Sequence, residues 1–303
     1  MENKILLCPL VSYDLDRSIR AIKSCFTQKD HELVYGVHVV INSQDTDFTL
    51  EISKYCDDNE IEYSITKSDG TPGTGKNSVL EIFQNSEYTH LSQLDGDDLF
   101  YPTFLKQIQR HLYKYPTTDV LATLPCDSIY RNPEEGAIEI DNGFYALIWT
   151  THYITWSTLS MLGEDRIFSD KFTGNYGRFI LFSKKISKNF RFDSSFIVGE
   201  DLKLHFQFLH AHQKDEISYW FTSVSDGWVR DTSSMGIQKS NSNTTLDGEN
   251  VIVRNDENTE RLKEYIESTM MRYRSAPCEI PVDFAPIYLT YEEKKDFLNE
   301  FIS

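Results

Sequence analysis

The 303-residue chain has no run of Lys or Arg, no long apolar stretch, no internal repeat and no paired cysteine motif. Each absence excludes something. There are 30 Lys and Arg against 47 Asp and Glu, a formal net charge of −17. Such a surface repels nucleic acid and anionic membranes at long range, so a nucleic-acid partner is disfavoured. No apolar run approaches the roughly 18 residues of a membrane-spanning helix. Residues 5–11 are too short, and too interrupted by Pro9, to serve as a signal segment. The five cysteines (Cys8, Cys25, Cys56, Cys126 and Cys278) are odd in number and widely scattered. That pattern fits free thiols in a reducing compartment. A cytoplasmic protein without a membrane span is the expectation.

What remains is an ordinary globular composition, 40% apolar and 25% charged, with 17 Tyr and 19 Phe. The length suits one large α/β domain, or one domain with an appendage. Apolar runs at 4–10, 33–41, 61–66 and 88–94 read as strands. Between them, 15–28, 49–58 and 77–84 read as helices, the first through Leu15, Ile19, Ile22 and Phe26 at helical spacing. Alternating strand and helix means a mostly parallel sheet with helices on its faces. The Gly/Pro-rich stretch 67–76 reads as a loop, and 102–115 as a helix. Further on, 119–125, 128–131, 137–140, 177–182 and 217–224 read as strands, and 200–212 as a helix. Residues 235–260 are polar and expected to be mobile. Residues 261–274 read as helical, and Thr290 with Glu293 forms a capping box that opens a last short helix.

The chain is organised around Asp95-Gly96-Asp97-Asp98, which directly follows the 88–94 strand. A strand ending in clustered carboxylates places them at the carboxyl edge of a sheet, where open α/β sheets bind ligands. Clustered Asp with a turn-forming Gly suits a hard cation, Mg²⁺ or Mn²⁺, that keeps open positions for substrate phosphates. A hydrated Asp-Gly surface turn is the plain alternative.

Gly70 to Asn77 nearly spells the phosphate-binding P-loop, G-x-x-x-x-G-K-[ST]. Asn77 stands where the Mg²⁺-binding hydroxyl belongs, and the helix that follows is short. Two strand–helix units also precede the loop. These points argue against a P-loop. A Gly-rich turn that merely joins strand to helix is a second reading.

The order of motifs resembles the glycosyltransferases of the GT-A fold, family 2 type. The resemblance rests on Gly73-Thr74-Gly75-Lys76-Asn77, then Asp95-Gly96-Asp97-Asp98 and Pro102. It rests also on a first strand ending near Pro9 and a helix closing with Ser24 and Gln28. It spans most of residues 4–234. It implies a mixed, mostly parallel GT-A sheet with helices on both faces. Residues 1–234 would form the catalytic domain, with 1–100 the nucleotide-sugar half and 101–234 the acceptor half. Residues 235–303 would add a flexible segment and a small C-terminal helical extension.

The resemblance also implies roles. Asp97, Asp95 and Asp98 would hold Mn²⁺ or Mg²⁺ against the diphosphate of a nucleotide-sugar donor, with UDP the expected nucleotide. Pro9, Asn42, Asp45, Gly75, Lys76, Asn77, Asp95, Gly96, Arg230 and Ser234 would line the donor site. Asn42 stands where the family often has an acidic residue for the base. Glu200-Asp201 matches the family's acidic pair. Asp201 would take the proton of an acceptor hydroxyl, on a carbohydrate or other molecule, and Glu200 would orient it or touch the acceptor. The transfer would be inverting. An acidic pair opening a helix also favours the helix dipole without any catalytic role. Arg230 suits phosphate because its planar fork binds oxygens in pairs.

Trp149, Tyr153 and Trp156 offer rings that stack on sugars or pack a core, and His152 lies beside them. His205 and His210 are not spaced as a helical metal pair. Two other classes share parts of this pattern. A nucleotidyltransferase would also use clustered Asp and Mg²⁺, but would leave the acidic pair unexplained. A non-catalytic sugar-binding module would keep the aromatics alone.

Overall fold

The computed structural model describes residues 3–123, 127–131, 138–142, 178–195, 200–222, 227–231 and 280–302. Expectations for Ser234, for 235–260 and 261–274, and for the aromatic stretch with Trp149, His152, Tyr153 and Trp156 lie outside these residues. The first half alternates as the sequence suggests. Strands β1 (Lys4–Val11), β2 (Val34–Ile41), β3 (Glu62–Ile65) and β4 (His90–Asp95) are separated by helices α1 (Leu15–Cys25), α2 (Thr46–Asp58) and α3 (Pro72–Asn85). Then come β5 (Asp98–Phe100), α4 (Phe104–Lys114), β6 (Val120–Thr123), β7 (Asp127–Arg131) and β8 (Ile138–Asn142). The remaining elements are β9 (Phe179–Ser183), α5 (Lys184–Asn189), α6 (Glu200–Gln213), β10 (Tyr219–Thr222), β11 (Trp228–Asp231), β12 (Val282–Asp283) and α7 (Tyr291–Ile302).

Eight strands form one sheet in the order β12-β10-β6-β9-β4-β1-β2-β3. All neighbours are parallel except β9, which runs antiparallel to both β4 and β6. Strand β1 has β2 on one side and β4 on the other. The chain order therefore reverses there, and a crevice opens at the carboxyl ends of these strands.

Burial on both faces explains why β1 reads as a continuous apolar run. Leu6 and Cys8 face one layer, with Val79, Leu80 and Phe83 of α3 and Leu204 and Phe208 of α6. Ile5 and Leu7 face the other, with Ala21 and Cys25 of α1 and Phe104, Leu105 and Ile108 of α4. Cys8, Cys25 and Cys56 are free and buried. No helix among the described residues is long and apolar enough to cross a membrane.

A second sheet, β5-β11-β7-β8, branches off directly after the Asp cluster. Helix α7 covers it, with Leu298 and Ile302 packed among Leu99, Tyr101, Ile129 and Val229. The Thr290 capping box forms: Thr290 N–H donates to Glu293 Oε2 at 2.7 Å and Glu293 N–H donates to Thr290 Oγ1 at 3.3 Å. Inside, Lys294 Nζ donates to Asp127 Oδ2 at 2.7 Å, with both groups buried. Strand β12 joins the large sheet beside β10. Its Asp283 is gripped by the two terminal guanidinium nitrogens of Arg110 at 2.7 and 3.1 Å and lies 3.0 Å from His111 Nδ1.

The second half of the stretch read as a Gly/Pro loop is helix. Helix α3 starts at Pro72, in the first turn where its missing N–H costs nothing. Thr71 caps it, and Asp69 accepts from the Thr71 N–H and from both the Thr71 and Thr74 hydroxyls. The glycines serve close packing. A Cβ at Gly73 would lie 2.9 Å from the Ser194 Cα, and one at Gly75 would lie 3.1–3.2 Å from Leu10 and the Asn42 Oδ1.

Candidate active site

Strand β4 delivers Asp95 to the carboxyl edge of the sheet, level with Leu10 of β1. Gly96 turns the chain tightly against β1, where a Cβ would lie 2.8 Å from the Leu10 carbonyl oxygen. The chain then re-enters as β5 from Asp98. Helix α1 clamps this exit. The Ser24 hydroxyl accepts the Phe100 N–H at 3.1 Å, and the Gln28 amide donates to the Tyr101 carbonyl and accepts the Leu105 N–H. One carboxylate oxygen from each of Asp95, Asp97 and Asp98 lies within 4.8 Å of the others.

Tyr13 and Arg178 bond to this cluster. The Tyr13 hydroxyl donates to Asp97 Oδ2 at 2.8 Å. Burial and the neighbouring Asp97 carboxylate push the Tyr13 phenol far above its ordinary range. Arg178, just before β9, bonds Asp95 and reaches Asp98 Oδ2 at 2.7 Å. Its guanidinium also lies over the Trp228 ring, 4.5 Å from the centroid. Burial works against the Arg178 charge, but Asp95 and Asp98 outweigh it and raise its pKa well above normal. Asp98 is 1% exposed, so this partner is what makes its burial tolerable.

The second cluster forms where α3 meets the start of α6. Lys76 Nζ donates to Glu200 Oε1 and to Asp201 Oδ1, each at 2.7 Å. Lys76 and Glu200 are 8% and 7% exposed, whereas Asp201 is 47% exposed. Burial disfavours the Lys76 charge, but Asp201 and Glu200 reverse the effect and raise its pKa beyond the ordinary lysine range. Burial pushes Glu200 up to about 6 despite Lys76. Asn77 completes the joint, trading two 2.9 Å hydrogen bonds with the backbone of Phe192. Lys76 also lies over the Phe192 ring, 5.3 Å from its centroid.

The two clusters act on each other. Arg178 is influenced by Asp97 and Asp201 as well as by its direct partners, and Lys76 by Asp95 and Arg178. Asp95, Asp97, Asp98, Glu200, Asp201, Lys76 and Arg178 thus share one end of the sheet.

No family model matches the sequence. No curated protein matches it either. Among solved structures, S. aureus TarS in complex with UDP-GlcNAc aligns with a TM-score of 0.53 at 15% identity, over 99% of this chain and 71% of that one. TarS with UDP gives 0.49 at 15% identity, over 99% and 80%. A mannosyltransferase from Pyrobaculum calidifontis, in complex with GDP-Man and Mn²⁺, gives 0.49 at 10% identity, over 78% and 59%. The first likeness is one of fold; the other two fall short of that level. The fold is GT-A in type.

The other expected residues are placed as follows. Pro9 is buried in β1 of the GT-A sheet, opposite Leu94. Asn42, at the end of β2, is 4% exposed and donates to Thr66 Oγ1 and the Lys67 carbonyl. Asp45 is exposed and caps α2, accepting from the Asp47 and Phe48 N–H groups. Arg230 is the register partner of Asp98 in the small sheet. Arg178 and Tyr13 were not singled out in the sequence. Tyr13 carries no signal there beyond its place after β1, and Arg178 reads only as the start of a strand.

Proposed function

We propose that this protein is a glycosyltransferase that moves a sugar from a nucleotide-diphosphate sugar, with UDP the expected nucleotide, to an acceptor hydroxyl with inversion. One observation carries the reading. The exposed carboxylate of Asp201, fixed by Lys76, sits close enough to the Asp95–Asp98 cluster to act on the same Arg178. In this reading the Asp cluster faces the diphosphate and the neighbouring Asp201 serves as the base. The TarS structure of like fold holds UDP-GlcNAc, which supports a UDP-linked donor.

Three carboxylate oxygens within 4.8 Å form a donor set suited to a hard divalent cation. Asp97, with Asp95 and Asp98, would hold Mn²⁺ or Mg²⁺ in the manner of a DXD motif. A cation there supplies neutralising charge for the departing diphosphate. Asp201 takes the acceptor's proton as its oxygen attacks the anomeric carbon from the face opposite the diphosphate. Lys76 holds Asp201 in place, with Glu200 behind it. Asn42, Gly75 and Gly96 shape the donor crevice, and Arg230 and Ser234 add contacts to the phosphates. Residues 1–234 carry the catalytic unit in this reading, and 280–302 buttress it. The buried free thiols support a cytoplasmic setting.

A P-loop does not form, because Gly73 and Gly75 lie within the first turns of α3 and Lys76 is bonded to two carboxylates. A nucleotidyltransferase leaves the Lys76–Glu200–Asp201 joint without a task. Calorimetry with a panel of UDP- and GDP-sugars, with and without Mn²⁺, tests the proposal. Mn²⁺-dependent binding of a UDP-sugar, lost in Asp97→Asn, is the expected result. Pyrophosphate release from a nucleoside triphosphate and a sugar phosphate would overturn it.

A further inference from the structure

Arg178 has no part in the roles assigned so far, yet it pairs with two members of the Asp cluster. Its position follows from the one reversed strand of the large sheet. Strand β9 pairs antiparallel with β4, His90 opposite Ser183 and Leu91 opposite Phe182. The Ser92 hydroxyl continues the contact by donating to the Ile180 carbonyl at 2.7 Å. Extending that register to the end of β4 sets Arg178 level with Asp95. A parallel strand would instead have sent its amino end to the opposite edge of the sheet. The Arg178 carbonyl is tied to the Thr123 N–H at 2.8 Å, so the residue is anchored by its backbone as well.

The side chain is fixed from two directions. One nitrogen bridges Asp95 and Asp98, and the guanidinium lies on Trp228, the first residue of β11. Trp228 is buried and pairs with Phe100 of β5 in the small sheet. Arg178 thus links both sheets through the acidic motif. Arg178 therefore sets one positive charge directly against two of the three carboxylates. Removing Arg178 takes its positive charge away from the cluster and from the enclosed Asp98.

We propose that Arg178 is the positioning residue of the acidic cluster: a built-in countercation that holds Asp95 and Asp98 in place and lowers the cluster's affinity for a divalent metal. It keeps the cluster assembled between turnovers and lets the metal leave with the nucleotide. The inference rests on the metal-binding reading of the cluster, and its test separates the two.

The test uses the full chain and Mn²⁺ alone, with no donor or acceptor. Thermal unfolding and calorimetry compare the wild type, Arg178→Gln and Arg178→Lys. Removing one partner of a buried ion pair is destabilising, so Arg178→Gln should lower Tm by on the order of 10 °C. Mn²⁺ should restore much of that loss and bind at least about tenfold more tightly than to wild type, because one more negative charge faces it. Arg178→Lys keeps the charge and should bind Mn²⁺ as the wild type does. If Arg178→Gln does not fold, adding Asp98→Asn should rescue it by removing the enclosed carboxylate that faced Arg178. Mn²⁺ binding to Arg178→Gln but not to wild type would end the metal-cofactor reading and uphold the role of Arg178. Wild-type melting and unchanged or weaker Mn²⁺ binding in Arg178→Gln would overturn the proposal, as would failure of Asp98→Asn to rescue folding.

Discussion

Lys76 and Asp201 are 125 residues apart in sequence and 2.7 Å apart in space. The contact joins the first turns of α3, whose glycines allow close packing, to the first turn of α6. It holds an exposed carboxylate at a set place beside the Asp cluster. A carboxylate at a helix start needs no such partner for the helix's sake, since the dipole already favours it.

Asp201→Asn should separate chemistry from binding. The amide keeps the shape of the side chain but takes no proton. General-base catalysis contributes about 10²–10⁴-fold, so kcat should fall by that factor while donor affinity measured by calorimetry barely moves. Turnover that persists within a factor of a few would reduce Asp201 to a helix-start charge.

Lys76→Ala should cost stability, because it strands the enclosed Glu200 beside Asp201. Removing one partner of a buried ion pair costs about 3–5 kcal/mol. Urea unfolding at neutral pH reads this loss. The double change Lys76→Met with Glu200→Gln should lose clearly less, since no buried charge is left behind. Equal losses in both variants would mean that packing, and not charge, is what Lys76 supplies.

Acid should weaken the fold well before the carboxylates titrate. Burial holds His90 and His205 down to about 4, against 6.5 for an exposed histidine. His205 is enclosed by aromatic rings and bonded to the Tyr219 hydroxyl at 2.6 Å. Between pH 6.5 and 4 the unfolded chain binds these two protons and the folded chain does not. Stability is therefore full above pH 6.5 and falls as the pH drops, by on the order of 3 kcal/mol per histidine. Glu200, raised from 4.5 to about 6, works the other way over a narrower span. The histidines outweigh it. Urea midpoints at pH 7 and pH 5 check the slope, and His205→Phe should flatten it.

Gly73→Ala should reverse the usual rule for helices. Replacing glycine by alanine inside a helix ordinarily gains about 0.5–1 kcal/mol. Here the new methyl would lie 2.9 Å from the Ser194 Cα and 3.0 Å from the Asp193 carbonyl, so backbone must move. A net loss of about 1–3 kcal/mol is expected. Gly96→Ala should show the same loss and also weaken Mn²⁺-dependent donor binding, because the methyl pushes the Asp-bearing turn away from Leu10. A stabilised Gly73→Ala would mean that α3 packs less tightly against residue 194.

Much of the fold was legible because it is written locally. β1, β2 and β4 are apolar runs bounded by polar turns, and α1 and α4 carry helical apolar spacing. The capping box at Thr290 formed as its residue types require. The Asp95–Asp98 cluster could be placed at a sheet edge from the strand before it. The start of α3 was also on the page, in the cap Thr71 and in Pro72 at the first turn. Glycine's low helix propensity hid it. Packing against residue 194, Leu10 and Asn42 overrides that propensity, and only the folded chain contains those neighbours.

By itself the sequence determined the alternation of strand and helix, the acidic motif at the end of β4 and the acidic pair that opens α6. Periodicity and clustered carboxylates act over a few residues, so they survive in a linear text. Only the tertiary structure decided which cations meet those carboxylates. Arg178 reaches Asp95 and Asp98 because β9 is inserted antiparallel, and strand direction depends on pairings between distant segments. Lys76 reaches Glu200 and Asp201 because α3 and α6 pack on the same face of the sheet. Asp127 meets Lys294 across 167 residues for a like reason, once α7 closes over the small sheet. Charge pairing at 2.7 Å is set by the fold, and nothing in a residue's own neighbourhood along the chain announces its partner.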